Sequence, residues 1–177
     1  MAGSLEFINE TTVTTSVASV DITNVFTAKY DVYKIVYAGF TVATGTDFFR
    51  MRLINSSDVV VTTTDYDSAG LNMRANSSFV ERRETNSNKG VFPVISIDDG
   101  AAEGVSGVTY LFNPFSASSY TFSLNQAGTW INGNYYGDKT IGVLKDTTSI
   151  TGFRLGQGDY AQNLDSGTVR TYGLASN

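Results

Sequence analysis

The feature that most constrains this chain is its punctuation. Short runs of alternating β-formers recur along the sequence, and turn residues interrupt them every 8–12 positions. Such a chain cannot build long helices, and about ten short strands point to two packed antiparallel sheets. The end shows the pattern clearly. Residues 149–155 and 166–174 alternate Ile, Phe, Val and Tyr with Thr and Arg around a polar Gly/Asn/Asp-rich turn. We read them as strands that close a β-sandwich and tie the C-terminal segment into a sheet.

Other segments read in the same way. Residues 4–9 alternate as a first strand, and residues 31–40 are dense enough in β-branched and aromatic residues to be a central one. Residues 47–54 place Phe49, Met51 and Leu53 on one face and Phe48, Arg50 and Arg52 on the other. This predicts a half-buried strand with its arginines towards water. Residues 59–64 are expected to return as its hairpin partner. Residues 91–97 are strand-like, with Pro93 favouring an edge or a strand start. Residues 108–113 and 120–125 form a hairpin that puts Tyr120, Phe122 and Leu124 on one face, and 139–145 form a further strand. Residues 65–77 are less regular, 79–84 are charged, and 85–90 and 126–137 read as loops.

The 177 residues suit one domain, 1–177, with no linker or composition shift to divide it. Neutral polar residues dominate, with 22 Thr, 18 Ser and 13 Asn. That mixture favours strands and turns. The expected fold is therefore a single-domain, all-β, antiparallel sandwich of jelly-roll type.

Charge and missing residue types narrow the function. The net charge of −5 opposes phosphate backbones and anionic lipid surfaces, so neither nucleic acid nor membrane is an expected partner. There is no cysteine and no histidine. Thiolate metal sites, disulfides and Ser-His or Cys-His pairs are therefore absent. The lack of disulfides leans towards assembly in a reducing cytosol, and no signal-peptide pattern opens the sequence. No cofactor is expected.

Four segments carry candidate chemistry. Asp65 and Asp67 precede Gly70 with calcium-loop spacing, but an Asx turn explains them equally and the later bidentate acid is missing. Asp98-Asp99-Gly100 reads as a similar turn. Trp130, Tyr135 and Tyr136 combine aromatic faces with nearby amides, which suits a protein interface or a sugar ring, or else packing into one end of the sandwich. Glu81-Arg82-Arg83-Glu84 reads as a solvated edge or a subunit contact. Paired carboxylates could run glycoside hydrolysis, but the acids mostly sit beside turn residues, so no enzyme is expected.

Several motifs carry a resemblance. Ser166-Gly167-Thr168-Val169-Arg170-Thr171-Tyr172-Gly173-Leu174 resembles the ending of small β-sandwich virion proteins of tailed bacteriophages, particularly marine ones. Residues 150–155 and Asn163-Leu164-Asp165 are similar to that family's penultimate strand and turn. Tyr110-Leu111-Phe112-Asn113-Pro114 resembles its hairpin, and Tyr30 with Tyr33 its central-strand opening. The resemblance implies a structural virion protein, a capsid decoration or fibre component packing against other virion proteins. It also implies a homo-oligomer, expected to be a trimer. The contacts are expected at Arg82 and Arg83 or at Trp130, Tyr135 and Tyr136. The alternative is a carbohydrate-binding receptor-recognition module of a tail tip, with a glycan as partner.

Overall fold

The computed structural model describes residues 4–91, 96–100, 102–160 and 162–175. Among these, twelve strands form: β1 (Leu5–Val13), β2 (Ser19–Ile22), β3 (Val32–Val42), β4 (Asp47–Asn55), β5 (Tyr66–Arg74), β6 (Val80–Ser87), β7 (Ser96–Ile97), β8 (Val105–Phe112), β9 (Thr121–Ile131), β10 (Asn134–Leu144), β11 (Ile150–Gln157) and β12 (Leu164–Leu174). They make two antiparallel sheets. The large one runs β1-β12-β3-β8-β9-β10-β5-β6 and the small one β2-β11-β4-β7. The all-β sandwich expected from the sequence is the observed fold.

The core lies where the small sheet covers the large one. From β3, Tyr33, Ile35 and Tyr37 point inward and are fully buried. Gly39 then adopts φ +62°, and the register against β8 slips between Tyr37 and Phe40. This bulge resets the alternation, so Phe40 and Val42 also point inward. Phe49, Met51 and Leu53 of β4 and Phe153 and Leu155 of β11 meet them from the other side. The rings make close contacts, with Phe26 stacked on Phe153 at 5.8 Å and Phe49 tilted against Tyr37 at 5.3 Å. Two core phenols find carbonyl partners. Tyr33 donates to the Thr27 carbonyl at 2.9 Å, and Tyr66 donates to the Val61 carbonyl at 3.1 Å.

The two closing segments serve different sheets. β11 lies in the small sheet between β2 and β4, and β12 lies in the large sheet between β1 and β3. Several expectations need correction. Residues 59–64 form no hairpin strand; Val60 makes a single bridge to Ile54. Val61 is buried there, whereas Thr62, Thr63 and Thr64 are exposed as the chain crosses to the large sheet. Residues 66–74 and 80–87 are regular strands, β5 and β6, and not irregular or loop structure. The segment 126–137 is the tip of one long hairpin. Asn132 and Gly133 both take positive φ, 49° and 78°, as a two-residue primed turn requires. Of the strand expected at 91–97, residues 92–95 lie outside the described residues, while Ser96 and Ile97 pair with Phe48 and Asp47.

Candidate interaction face

Half of the large sheet turns its alternation inside out. In β9, Thr121, Ser123, Asn125 and Thr129 face inward and are buried, while Phe122 and Trp130 on the other side are exposed. In β10, Asp138 and Thr140 are buried and Ile141 is 60% exposed. The face shared by Tyr120, Phe122 and Leu124 is thus the outer one. Several of the inner polar groups bond to one another, while Ser123 and Thr129 donate to the Val91 and Glu103 carbonyls. Asn125 Oδ1 accepts from Tyr37 Oη at 2.7 Å and from Thr109 Oγ1 at 2.9 Å. Asp138 accepts a short bond from the Thr140 hydroxyl. Burial pushes the Asp138 carboxyl up to about 6, against the opposing pull of Thr140 and of Arg82.

The strand registers assemble the outer face row by row. One row crosses all eight strands: Phe7, Tyr172, Lys34, Tyr110, Leu124, Ile141, Ala69 and Arg83. The row beside it holds Leu5, Leu174, Val32, Phe112, Phe122, Val143 and Asp67. On the other side run Glu10, Arg170, Val36, Val108, Gln126, Lys139, Leu71 and Glu81. The middle of this face is aliphatic and aromatic, and the charges lie mainly towards its rim. Phe7 packs edge-on against Tyr172 at 5.8 Å, yet Phe7 remains 61% exposed. Between β9, β10, β5 and β6 the face dips into an apolar depression of 660 Å³ lined by Phe122, Leu124, Ile141 and Val143. An exposed apolar surface of this breadth is a mark of an interaction site.

The aromatic cluster expected at the hairpin tip is divided by the alternation of β10. Trp130 and Tyr135 are cross-strand partners and share the outer face, 46% and 53% exposed. Tyr136 lies on the opposite face, with the Arg74 guanidinium 5.4 Å from its ring. A groove of 480 Å³ runs beside Tyr135 over bare backbone at Gly128 and Gly137, with Phe79 among its walls. Phe79 belongs to the segment read as charged, so sequence reasoning passed over it; its apolar ring beside polar Ser77 and Ser78 was the available signal.

The Glu-Arg-Arg-Glu segment is strand β6 and also divides by face. Arg83 and Glu81 point outward, in the rows above. Arg82 and Glu84 turn towards β4. The Arg82 guanidinium stands 4.8 Å from the Phe48 ring, and Glu84 lies 3.5 Å from Arg50. Arg50 is consequently buried, 3% exposed, and does not face water as its alternation suggested. Arg52 keeps its stem outward, donates to the Asn88 carbonyl at 2.7 Å and covers the Tyr160 ring at 4.3 Å.

The candidate acidic turns are engaged by the protein itself. Asp67 accepts the Asn86 N–H at 2.7 Å and pairs with Lys145 at 2.9 Å, which holds its carboxyl below the usual value. Asp98 takes the Thr46 hydroxyl at 2.6 Å, which likewise lowers it, and Asp99 takes the Gly45 N–H at 3.0 Å. These two acids fasten the turn at 43–46. Among the described residues, no group of three or more His, Cys, Asp or Glu could hold a metal ion, and no helix is long and apolar enough to cross a membrane. No protein-family model, curated protein or solved structure matches the chain.

Proposed function

We propose that the chain is a non-enzymatic structural component of a bacteriophage particle, assembled in the host cytoplasm. It works by packing the outer face of its large sheet against other proteins of the particle, as a capsid decoration or a fibre component. One observation carries the reading. The outer face presents Phe7, Phe122, Ile141 and Leu174 to solvent around a broad apolar centre, although the core is filled from the other face. A lone domain gains nothing from such a surface, whereas an assembled one buries it at about 25 cal/mol per Å². The phage setting rests on the motif resemblance of residues 110–114, 150–155 and 166–174. Quantitative mass spectrometry of purified particles tests it. Hundreds of copies per particle fit a decoration protein, and a few to a few dozen fit a fibre. None at all would overturn the reading.

The alternative, glycan recognition, is favoured by the Trp130–Tyr135 pair beside the groove over Gly128 and Gly137. Exposed aromatic rings flanking bare backbone can stack on a sugar ring. Chemical-shift perturbation of the Trp130 indole N–H by particle-host surface glycans would support it, and an unshifted signal at millimolar sugar would remove it.

A further inference from the structure

We infer that the outer face of the large sheet binds a second copy of this chain, face to face, about a twofold axis running along β9. The inference rests on reading that face as the assembly surface, and it names the partner.

Strand order makes the face complementary to itself. β9 is the fifth of eight strands. A twofold axis lying along it in the interface exchanges β8 with β10, β3 with β5 and β12 with β6, and keeps every residue at its own row. In the first row Leu124 meets itself, Tyr110 meets Ile141, and Tyr172 meets the Arg83 guanidinium, a cation–π pairing. In the second row Phe122 meets itself and Phe112 meets Val143. In the third, Val36 meets Leu71 and Arg170 meets Glu81. Lys34 of one copy lies one row from Asp67 of the other, within reach of its long side chain. Each pairing away from the axis occurs twice. The alternative twofold, across the strands along the first row, stacks Lys34 on Lys34 and Arg83 on Arg83, and like charges in contact disfavour it.

Size and charge agree. The seven strands from β12 to β6 that this axis overlaps, about 4.8 Å apart and each contributing roughly eight residues of about 3.3 Å, give a shared face of about 900 Å². A stable interface covers about 800 Å² on each partner. Lys34, Arg83, Lys139, Lys145 and Arg170 on this side outnumber Glu10, Asp67 and Glu81, so the acidity of a chain with net charge −5 lies elsewhere. Two acidic molecules can therefore meet here without massed carboxylates.

Sedimentation velocity of the full chain, combined with zero-length carbodiimide cross-linking, tests the inference. Within one chain Lys34 and Asp67 sit four strands apart, about 19 Å, too far for a zero-length link. The expected result is a dimer whose Lys34–Asp67 link joins isotopically light and heavy copies. Ile141→Lys should abolish dimer and link alike while the circular dichroism is unchanged, and Glu81→Lys should weaken the dimer at least tenfold. A monomer at high concentration, a trimer, or a dimer without that link would overturn the inference. If the chain is monomeric but Ile141→Lys still blocks incorporation into particles, the second-copy partner is wrong and the assembly face stands.

Discussion

Gly167 lies directly beneath the ring of Phe40: a Cβ added at 167 would stand 2.4 Å from the ring, and the backbone there has φ +134°. The glycine of the closing motif is thus the floor on which a core phenylalanine from β3 rests. Gly173 plays the same part for Tyr30, whose ring would be 2.4 Å from an added Cβ. Gly167→Ala combines an unfavourable backbone with overpacking, so it should destabilise the fold by about 2 kcal/mol or more. Chemical denaturation measures this. Adding Phe40→Leu should recover part of the loss.

Asp138 makes stability depend on pH in an unusual direction. Its folded carboxyl titrates at about 6, above the ordinary value of 3.8, so the native state holds the proton more tightly than the unfolded chain. The contribution is most favourable below pH 4 and is lost as the pH rises through 6. Asp138→Asn, which keeps an acceptor for Thr140, should therefore be more stable than the parent at pH 7 by about 1–3 kcal/mol and close to it at pH 4. Comparing the two proteins by denaturation at both pH values isolates this group from Glu6, Asp67 and Asp98, whose lowered values act in the opposite sense.

The outer and inner faces should respond oppositely to substitution. Phe153→Ala removes a fully buried ring stacked on Phe26 and should cost about 3–5 kcal/mol. Ile141→Thr on the exposed face should change the stability of the isolated chain by no more than about 0.5 kcal/mol. Thermal melts of dilute protein distinguish the two.

Trp130 is the only tryptophan, and it is 46% exposed. Its emission should be red-shifted and readily quenched by acrylamide in the isolated chain. A blue-shifted, protected signal under monomeric conditions would contradict the placement of Trp130 beside Tyr135.

Much of this architecture was legible from alternation alone. The segments at 31–37, 47–54 and 153–155 put large apolar residues at every second position, and each lies in a strand of the core. Alternation identifies two faces without saying which one is buried. In β9 the apolar side, Phe122 and Leu124, faces out, because Ser123 donates to the Val91 carbonyl and Asn125 accepts from Tyr37 of β3, both distant in sequence. β5 and β6 escaped notice for a related reason: Ser68, Asn72, Arg82 and Glu84 point inward, and their partners Arg50, Phe48 and Asp138 come from elsewhere in the chain. The Asn132-Gly133 turn was in the sequence and is the kind of signal that joins two strands. For the candidate site, the sequence groups Trp130, Tyr135 and Tyr136 as one aromatic cluster, and the alternation of β10 separates Tyr136 from the other two. The eight-strand apolar face was not, because it exists only once distant strands come into register.

Hydroxyl-radical footprinting of the outer face, in the free chain and in assembled particles, tests the central claim most directly. The account predicts that Phe7, Tyr110, Phe122 and Leu124 react readily in the dilute chain and become several-fold slower on assembly, while the buried Tyr33 and Phe153 stay slow in both. Equal reactivity of the outer-face residues in the two states would contradict it.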